Sequence, residues 1–186
     1  MSPPRLIALT GPAGSGKDTI ADILATDHGY TKLAFADPMR AMLRSLFEFA
    51  ELDLAHMADR SQKEQPIPGL HGVSYRHLAQ TLGTEWGQRC VGRTFWVDML
   101  DRAARARREQ GDRLLVVSDL RFHHEATWVR EQGGLIWRVV RDVPRVRAHV
   151  SESEMHAIQA DRLVINEGGI DELWNTVDAL IEGHKA

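Results

Sequence analysis

A single cysteine, Cys90, stands in 186 residues, so the chain can close no internal disulfide and a reducing cytoplasm is its expected setting. No apolar run nears the roughly 18 residues that a membrane helix needs. The opening Met1-Ser2-Pro3-Pro4-Arg5 has no apolar stretch of the signal-peptide kind, so none is expected. Positive charge is not in excess either. The net charge of −3 argues against a surface built to coat nucleic acid, although a local basic cleft remains open. Nine histidines include no H-E-x-x-H and no Cys/His set with zinc spacing, which disfavours a protein-held transition metal. Repeats and low-complexity segments are absent. Lysine is scarce, limited to Lys17, Lys32, Lys63 and Lys185, and arginine carries the rest of the basic charge. Arginine grips phosphate with two prongs where lysine offers a point charge, although a GC-rich coding genome explains the same bias.

What is present fits an ordinary globular protein: 43% apolar and 26% charged residues, in a length suited to one domain with one core. Arg5 to Thr10 reads as a buried strand and Thr19 to His28 as a helix, with Ile20, Ile23 and Leu24 at helical spacing. Thr31 to Phe35 is a second short strand. Asp37-Pro38 has the form of an N-cap and first-turn proline, opening a helix to about Ala50 with Met39, Met42, Leu43 and Leu46 on one stripe. Glu51 to Val73 carries Pro66, Pro68, Gly69 and Gly72 and is expected to be irregular or only partly helical. Ser74 is placed to cap a helix through Leu82, and another helix runs from about Phe95 to Gln110. Leu114 to Ser118 is a continuous apolar run, the pattern of a parallel strand covered on both faces. A helix from Glu125 to Gln132, a strand from Leu135 to Val140, a polar segment to about Ala160, a strand from Leu163 to Ile165 and a helix from Ile170 to Ile181 follow. Strands alternating with helices predict a three-layer α/β fold with a mostly parallel sheet of about five strands.

Gly11-Pro-Ala-Gly-Ser-Gly-Lys17 matches G-x-x-x-x-G-K and lies between a strand and a helix, as a phosphate loop must. Gly11, Ala13, Gly14, Ser15, Gly16, Lys17, Asp18 and Thr19 are therefore the candidate ATP contacts. Glycines let backbone N–H groups converge on phosphate oxygens, the helix turns its positive end toward the same anion, and Lys17 adds a mobile cation. Ser or Thr is expected after the lysine, to reach Mg²⁺; Asp18 stands there instead. A carboxylate beside a triphosphate is repelled unless a cation lies between them, so Asp18 either holds the metal or caps the helix.

No Asn-Lys-x-Asp guanine signature is found, and the length leaves little room for a motor's accessory parts, so a kinase is favoured. Asp119 ends the Leu114 to Ser118 run in the place of an acid that orders Mg²⁺-bound water, with a solvent-exposed loop Asp as the alternative. Arg121 would face the same crevice, or pair with Glu125 four residues on. Asp37, at the end of the second strand, has two open roles: orienting an acceptor or metal, or capping the next helix. Arg76 and Gln80 share a helix face, suited to a phosphate and a base edge, or to solvent. Glu85 and Arg89 repeat the spacing, with a plain ion pair equally good. Arg141, Arg145 and Arg147 cluster ahead of the polar His149 to Glu154; they read as a closing lid over 141–160 that neutralises developing charge, with a solvated charge run as the alternative. Arg102, Arg105, Arg107 and Arg108 read as a solvated face. The five tryptophans, Trp86 among them, are expected in the core or in acceptor-pocket walls. Asn166 opens a turn after the last strand, where a loop contacting adenine would lie in such a fold.

Gly-Ser-Gly-Lys-Asp-Thr at Gly14 to Thr19, Phe35-Ala-Asp-Pro38, Gln80-Thr-Leu-Gly-Thr-Glu85, Ser118-Asp-Leu-Arg-Phe122 with Glu125, and His149-Val-Ser-Glu152 run in order along most of the chain. Together they resemble the deoxynucleoside monophosphate kinases of tailed bacteriophages, in which an Asp after the loop lysine recurs. The resemblance implies a nucleoside monophosphate kinase fold, with a nucleotide-binding core, a monophosphate-binding region over about 37–92 and a short lid. His123-His124 departs from it where Pro-Asn is expected. It further implies ATP as co-substrate, Mg²⁺, small-molecule nucleotides as partners and no membrane or stable nucleic-acid partner, with a homodimer left open. Phosphorylation of a modified base in DNA or of another small phosphorylated metabolite is the alternative within kinases. A non-catalytic ATP switch is the alternative outside them.

Overall fold

The computed structural model describes residues 2–141 and 150–183, with side chains outside 150–153. Five strands form one parallel sheet in the order β2-β3-β1-β4-β5: β1 Leu6–Thr10, β2 Thr31–Leu33, β3 Leu115–Val117, β4 Leu135–Val140 and β5 Arg162–Ile165. β1 and β3 are apolar runs buried throughout, as parallel strands covered on both faces must be. Helices α1 Lys17–His28 and α8 Ile170–Glu182 touch each other and share a core with Ile7, Leu9, Val116, Trp137 and Val139. Helix α6 His123–Glu131 packs on β1 and β4. The three-layer α/β expectation is met. β1 lies between β3 and β4, where successive connections leave in opposite directions; open α/β sheets carry their ligands at that point, outside the carboxyl ends of the strands.

The chain separates into two compact units, Met1–Phe35 with Leu100–Ala186, and Ala36–Met99. The second contains the expected monophosphate-binding region. Its core is Leu43, Phe47, Ile67 and Tyr75, with the Phe47 and Tyr75 rings edge-on at 6.1 Å. Helix α2, Asp37–Phe49, starts one residue earlier than its cap signature suggests: Ala36 is the flanking residue, and Asp37 is already helical with Pro38 in the first turn. Burial along the stripe of Met39, Met42, Leu43 and Leu46 is uneven. Leu43 and Phe47 point to the core, whereas Met42 and Leu46 are more than 40% exposed. The short helix α3 Ala55–Ala58 is all that is regular before Ser74, in line with the proline and glycine content there.

Ser74 does cap the next helix, α4 Tyr75–Gln80, accepting the His77 N–H at 3.3 Å. The expected stop at Leu82 is wrong, because the chain continues as a wider π-helix from Thr81 to Val91, ending with Gly92 N–H donating to Gly87 O at 3.0 Å. Trp96, near the start of α5 Phe95–Glu109, packs against this helix. Its indole N–H donates to Gly83 O at 2.8 Å, and a Cβ on Gly87 would come within 2.4 Å of that nitrogen. Two glycines four residues apart thus give the indole a flat seat. The polar segment after β4 also holds a helix, α7 Val150–Ala157.

Candidate active site

The phosphate loop leaves β1 at Thr10 and enters α1 at Lys17. Gly16 immediately precedes the helix with φ 104°, a conformation that costs a residue with a Cβ roughly 1–2 kcal/mol. A Cβ there would also come within 2.3 Å of the Asn166 amide nitrogen. That amide donates to Ser15 O at 2.7 Å in a buried setting. The Asn166 amide is therefore engaged with the loop itself. Lys17 is buried at its stem, and its ammonium donates to Gly11 O at 2.7 Å and Pro12 O at 2.8 Å. The hydroxyls of Thr10, Ser15 and Ser118 are buried, and none has a hydrogen-bond partner among the described residues. Buried hydroxyls at a glycine-rich turn, beside helix N–H groups, suit an oxygen-rich anion.

Asp119 follows β3, and its Oδ1 accepts the Phe35 N–H at 2.8 Å, tying the end of β3 to the chain leaving β2. Two residues on, Arg121 does not use Glu125 as a plain ion-pair partner. Glu125 Oε2 instead accepts the backbone N–H of Arg121 at 2.7 Å and of Phe122 at 3.0 Å, closing the first turn of α6. Glu125 is buried, and burial pushes its carboxyl up to about 8. The neighbouring charge of Asp119 pushes the same way, while the two N–H donors and the charge of Arg121 pull back. The segment 119–125 is thus held by one buried acid, a role that the sequence motif contained but did not reveal.

Asp18 sits on the open side of α1. Its side chain is 78% exposed and lies 3.4 Å from Lys32, which also pairs with Asp22 at 2.8 Å. This arrangement favours a surface ion-pair role over a metal ligand. Among the described residues no group of three or more His, Cys, Asp or Glu is placed to hold a metal ion. The donors present, one carboxylate at Asp119 and the buried hydroxyls, fit a Mg²⁺ ion held chiefly by phosphate oxygens and water.

The residues expected to hold an acceptor lie in the second unit and are spread out. Asp37 pairs with Arg40 at 2.9 Å. Arg76 pairs with Glu64, and its N–H donates to Lys63 O at 3.0 Å. Arg76 and Gln80 do share a face of α4, but it is opposite the face of Leu78 and Leu82 by the 100° helical step. Trp86 goes with the latter face. It lines an open apolar groove of about 360 Å³ with Met42, Leu46, Leu78, Thr81 and Leu82, and meets the ring of Phe95 edge-on at 5.5 Å. Trp86 and Gln80 are therefore not brought into one pocket. Glu85 and Arg89 form the plain ion pair that their spacing allows.

Of the lid residues, Arg141 is exposed, and Arg145, Arg147 and His149 lie outside the described residues. The far end of that stretch is firmly held. Arg138 donates to the carbonyls of Met155 at 3.2 Å and His156 at 3.3 Å, and to that of Ile158, placing a cation at the carbonyl end of α7. Asp161 accepts the Ile136 N–H at 2.7 Å and pairs with Arg130. The signal for Arg138 was one charge inside an otherwise apolar strand, a position that needs a partner.

A parallel five-stranded sheet, with a glycine-rich loop leading from its central strand straight into a helix, is the P-loop fold. Solved structures share it: shikimate kinase from Aquifex aeolicus (TM-score 0.56, 14% identity, 97% of this chain and 98% of that one) and dephospho-CoA kinase from Campylobacter jejuni (0.52, 11%, 97% and 96%). Residues 50–177 match the deoxynucleotide monophosphate kinase family, and the chain belongs to it. A protein of Acanthamoeba polyphaga mimivirus, named as a proposed deoxynucleotide monophosphate kinase, is 26% identical over 95% of this chain and 96% of its own length. The protein is accordingly a nucleotide kinase. The matched stretch begins after the phosphate loop, so loop geometry and family membership are separate observations. No helix among the described residues is long and apolar enough to cross a membrane.

Proposed function

We propose that this chain transfers the γ-phosphoryl group of ATP to a deoxynucleoside monophosphate, giving ADP and the diphosphate. An oxygen of the acceptor phosphate attacks the γ-phosphorus, and the bond from that phosphorus to the β–γ bridging oxygen breaks. The carrying observation is the glycine-rich loop at the head of α1, with Lys17 at its rim and buried hydroxyls beneath it. Backbone N–H groups of Ala13 to Lys17 hold the β- and γ-phosphates, Thr19 supports the helix start, and Lys17 exchanges its loop carbonyls for phosphate oxygens. Mg²⁺, when bound, neutralises part of the triphosphate charge, with Asp119 as the acid that orders its water. Arg121, two residues after Asp119, supplies positive charge to the transferring group, together with Arg141 and Arg145 of the expected lid over 141–160. Asp37, Arg76 and Gln80 bind the acceptor, Arg76 by charge and Gln80 by a base edge. Glu85 and Trp86 are given no direct contact with it, since one is ion-paired and the other lines the apolar groove.

A coupled ADP-release assay over deoxynucleoside monophosphates, ribonucleoside monophosphates and DNA tests the reading. Mg²⁺-dependent turnover with at least one deoxynucleoside monophosphate is expected. Turnover with DNA or a non-nucleotide metabolite alone moves the alternative acceptors ahead, and ATP binding without any acceptor favours the switch.

A further inference from the structure

We infer that Asn166 is a positioning residue for the phosphate loop, setting the direction of the Gly16 N–H through the carbonyl of Ser15. The side-chain amide donates to Ser15 O at 2.7 Å across 151 positions of sequence. Asn166 is itself 95% buried, and its backbone N–H is fixed to Val140 O at 2.8 Å. The donor is therefore anchored to the end of β4 by a second hydrogen bond. Ser15 C=O and Gly16 N–H belong to one planar peptide, and all described peptides are trans, so the two groups point in opposite directions. Holding the carbonyl on the Asn166 side aims the N–H to the other side. That side is where a loop of this form gathers its donors for phosphate.

The fit is close enough to constrain the partner residue. Position 16 tolerates no Cβ, because the amide nitrogen would lie 2.3 Å from it. Glycine at 16 thus serves both a left-handed backbone and the approach of Asn166. A peptide that is free to rotate would present its carbonyl to the phosphate in part of the population, replacing attraction by repulsion. The amide removes that population before ATP arrives, and binding loses none of its energy to reorientation.

This inference rests on the loop being the ATP phosphate site, and the experiment separates the two. Affinities for ATP and for inorganic tripolyphosphate are measured by calorimetry on the full chain, without acceptor, for the parent, Asn166→Ala, Asn166→Asp and Lys17→Ala, with a melting curve for each. Asn166→Asp keeps the volume but replaces the donor with a carboxylate, so it reports even if the alanine variant does not fold. A hydrogen bond to a charged group governs about ten- to a hundred-fold in binding, and misdirecting one donor is expected to weaken both ligands by about ten-fold. Equal loss for ATP and tripolyphosphate supports positioning. Loss for ATP alone overturns it, because that result belongs to a base contact. A lowered melting temperature with unchanged tripolyphosphate affinity overturns it as well, leaving a structural role. If Lys17→Ala leaves tripolyphosphate binding unchanged, the phosphate-site reading falls first and takes the inference with it.

Discussion

The phosphate loop and the α4–π-helix region, proposed to serve ATP and the acceptor respectively, are built in opposite ways. Around the loop, polar groups are buried or half-buried and aimed: Lys17 on Gly11 and Pro12, Asn166 on Ser15, Asp119 on Phe35, Glu125 on Arg121 and Phe122. In the second unit, Arg76, Glu85 and Asp37 are at or near the surface and paired with neighbouring charges. Exposed ion pairs of this kind contribute little stability, typically below about 1 kcal/mol, and are readily exchanged for a ligand. A triphosphate is the same in every ATP, so its donors can be fixed in advance. Acceptors differ in their bases, and side chains that trade one partner for another suit that task.

The comparison predicts that the two regions fail differently under mutation. The largest effect is expected from Lys17→Ala, which should leave the circular dichroism spectrum intact while lowering kcat by about 10² to 10³, because it deletes a cation that stabilises developing charge. Near-normal turnover in a folded variant would remove the loop from the chemistry.

On the other side, Arg76→Ala should raise KM for the acceptor by about ten- to a hundred-fold, with KM for ATP nearly unchanged and little loss of stability. An equal rise for both substrates would mean that α4 serves the loop rather than the acceptor, and the contrast drawn here would dissolve.

A smaller effect distinguishes two acids near the loop. Asp119→Asn should raise the half-saturating Mg²⁺ concentration by several fold, since it weakens the hold on metal-bound water. Asp18→Asn should change it little, because that carboxylate is mostly exposed and engaged with Lys32. The reverse ranking would return Asp18 to the metal.

The smallest effect is a slope. Glu125 titrates at about 8 in the folded chain against an ordinary value of 4.5, so between those limits the folded state keeps a proton that the unfolded state has lost. Its contribution to stability is therefore present at low pH and is lost as pH rises through about 8. Glu125→Gln mimics the protonated acid and should flatten the fall in melting temperature across this window. An unchanged slope would show that Glu125 is ionised in the fold.

Much of the molecule was written locally. Strand β1, the loop and α1 follow from an apolar run, glycines at set spacing and a helical period, all within about twenty residues. The Ser74 cap and the Glu85–Arg89 pair are likewise properties of residues three or four apart. The sequence alone therefore determined the fold class and the phosphate loop. Tertiary structure decided what those motifs touch: that Asn166 braces Ser15, that Asp119 ties to Phe35, that Arg138 closes the end of α7, and that Trp96 seats on Gly83 and Gly87. It also buried Leu43 while leaving Met42 and Leu46 exposed on the same apolar stripe of α2. Local signals arise from sterics and hydrogen bonds between near neighbours, which the order of residues records directly. Long-range partners are selected by strand order in the sheet and by which helix face meets a core, and these exist only once distant segments have packed.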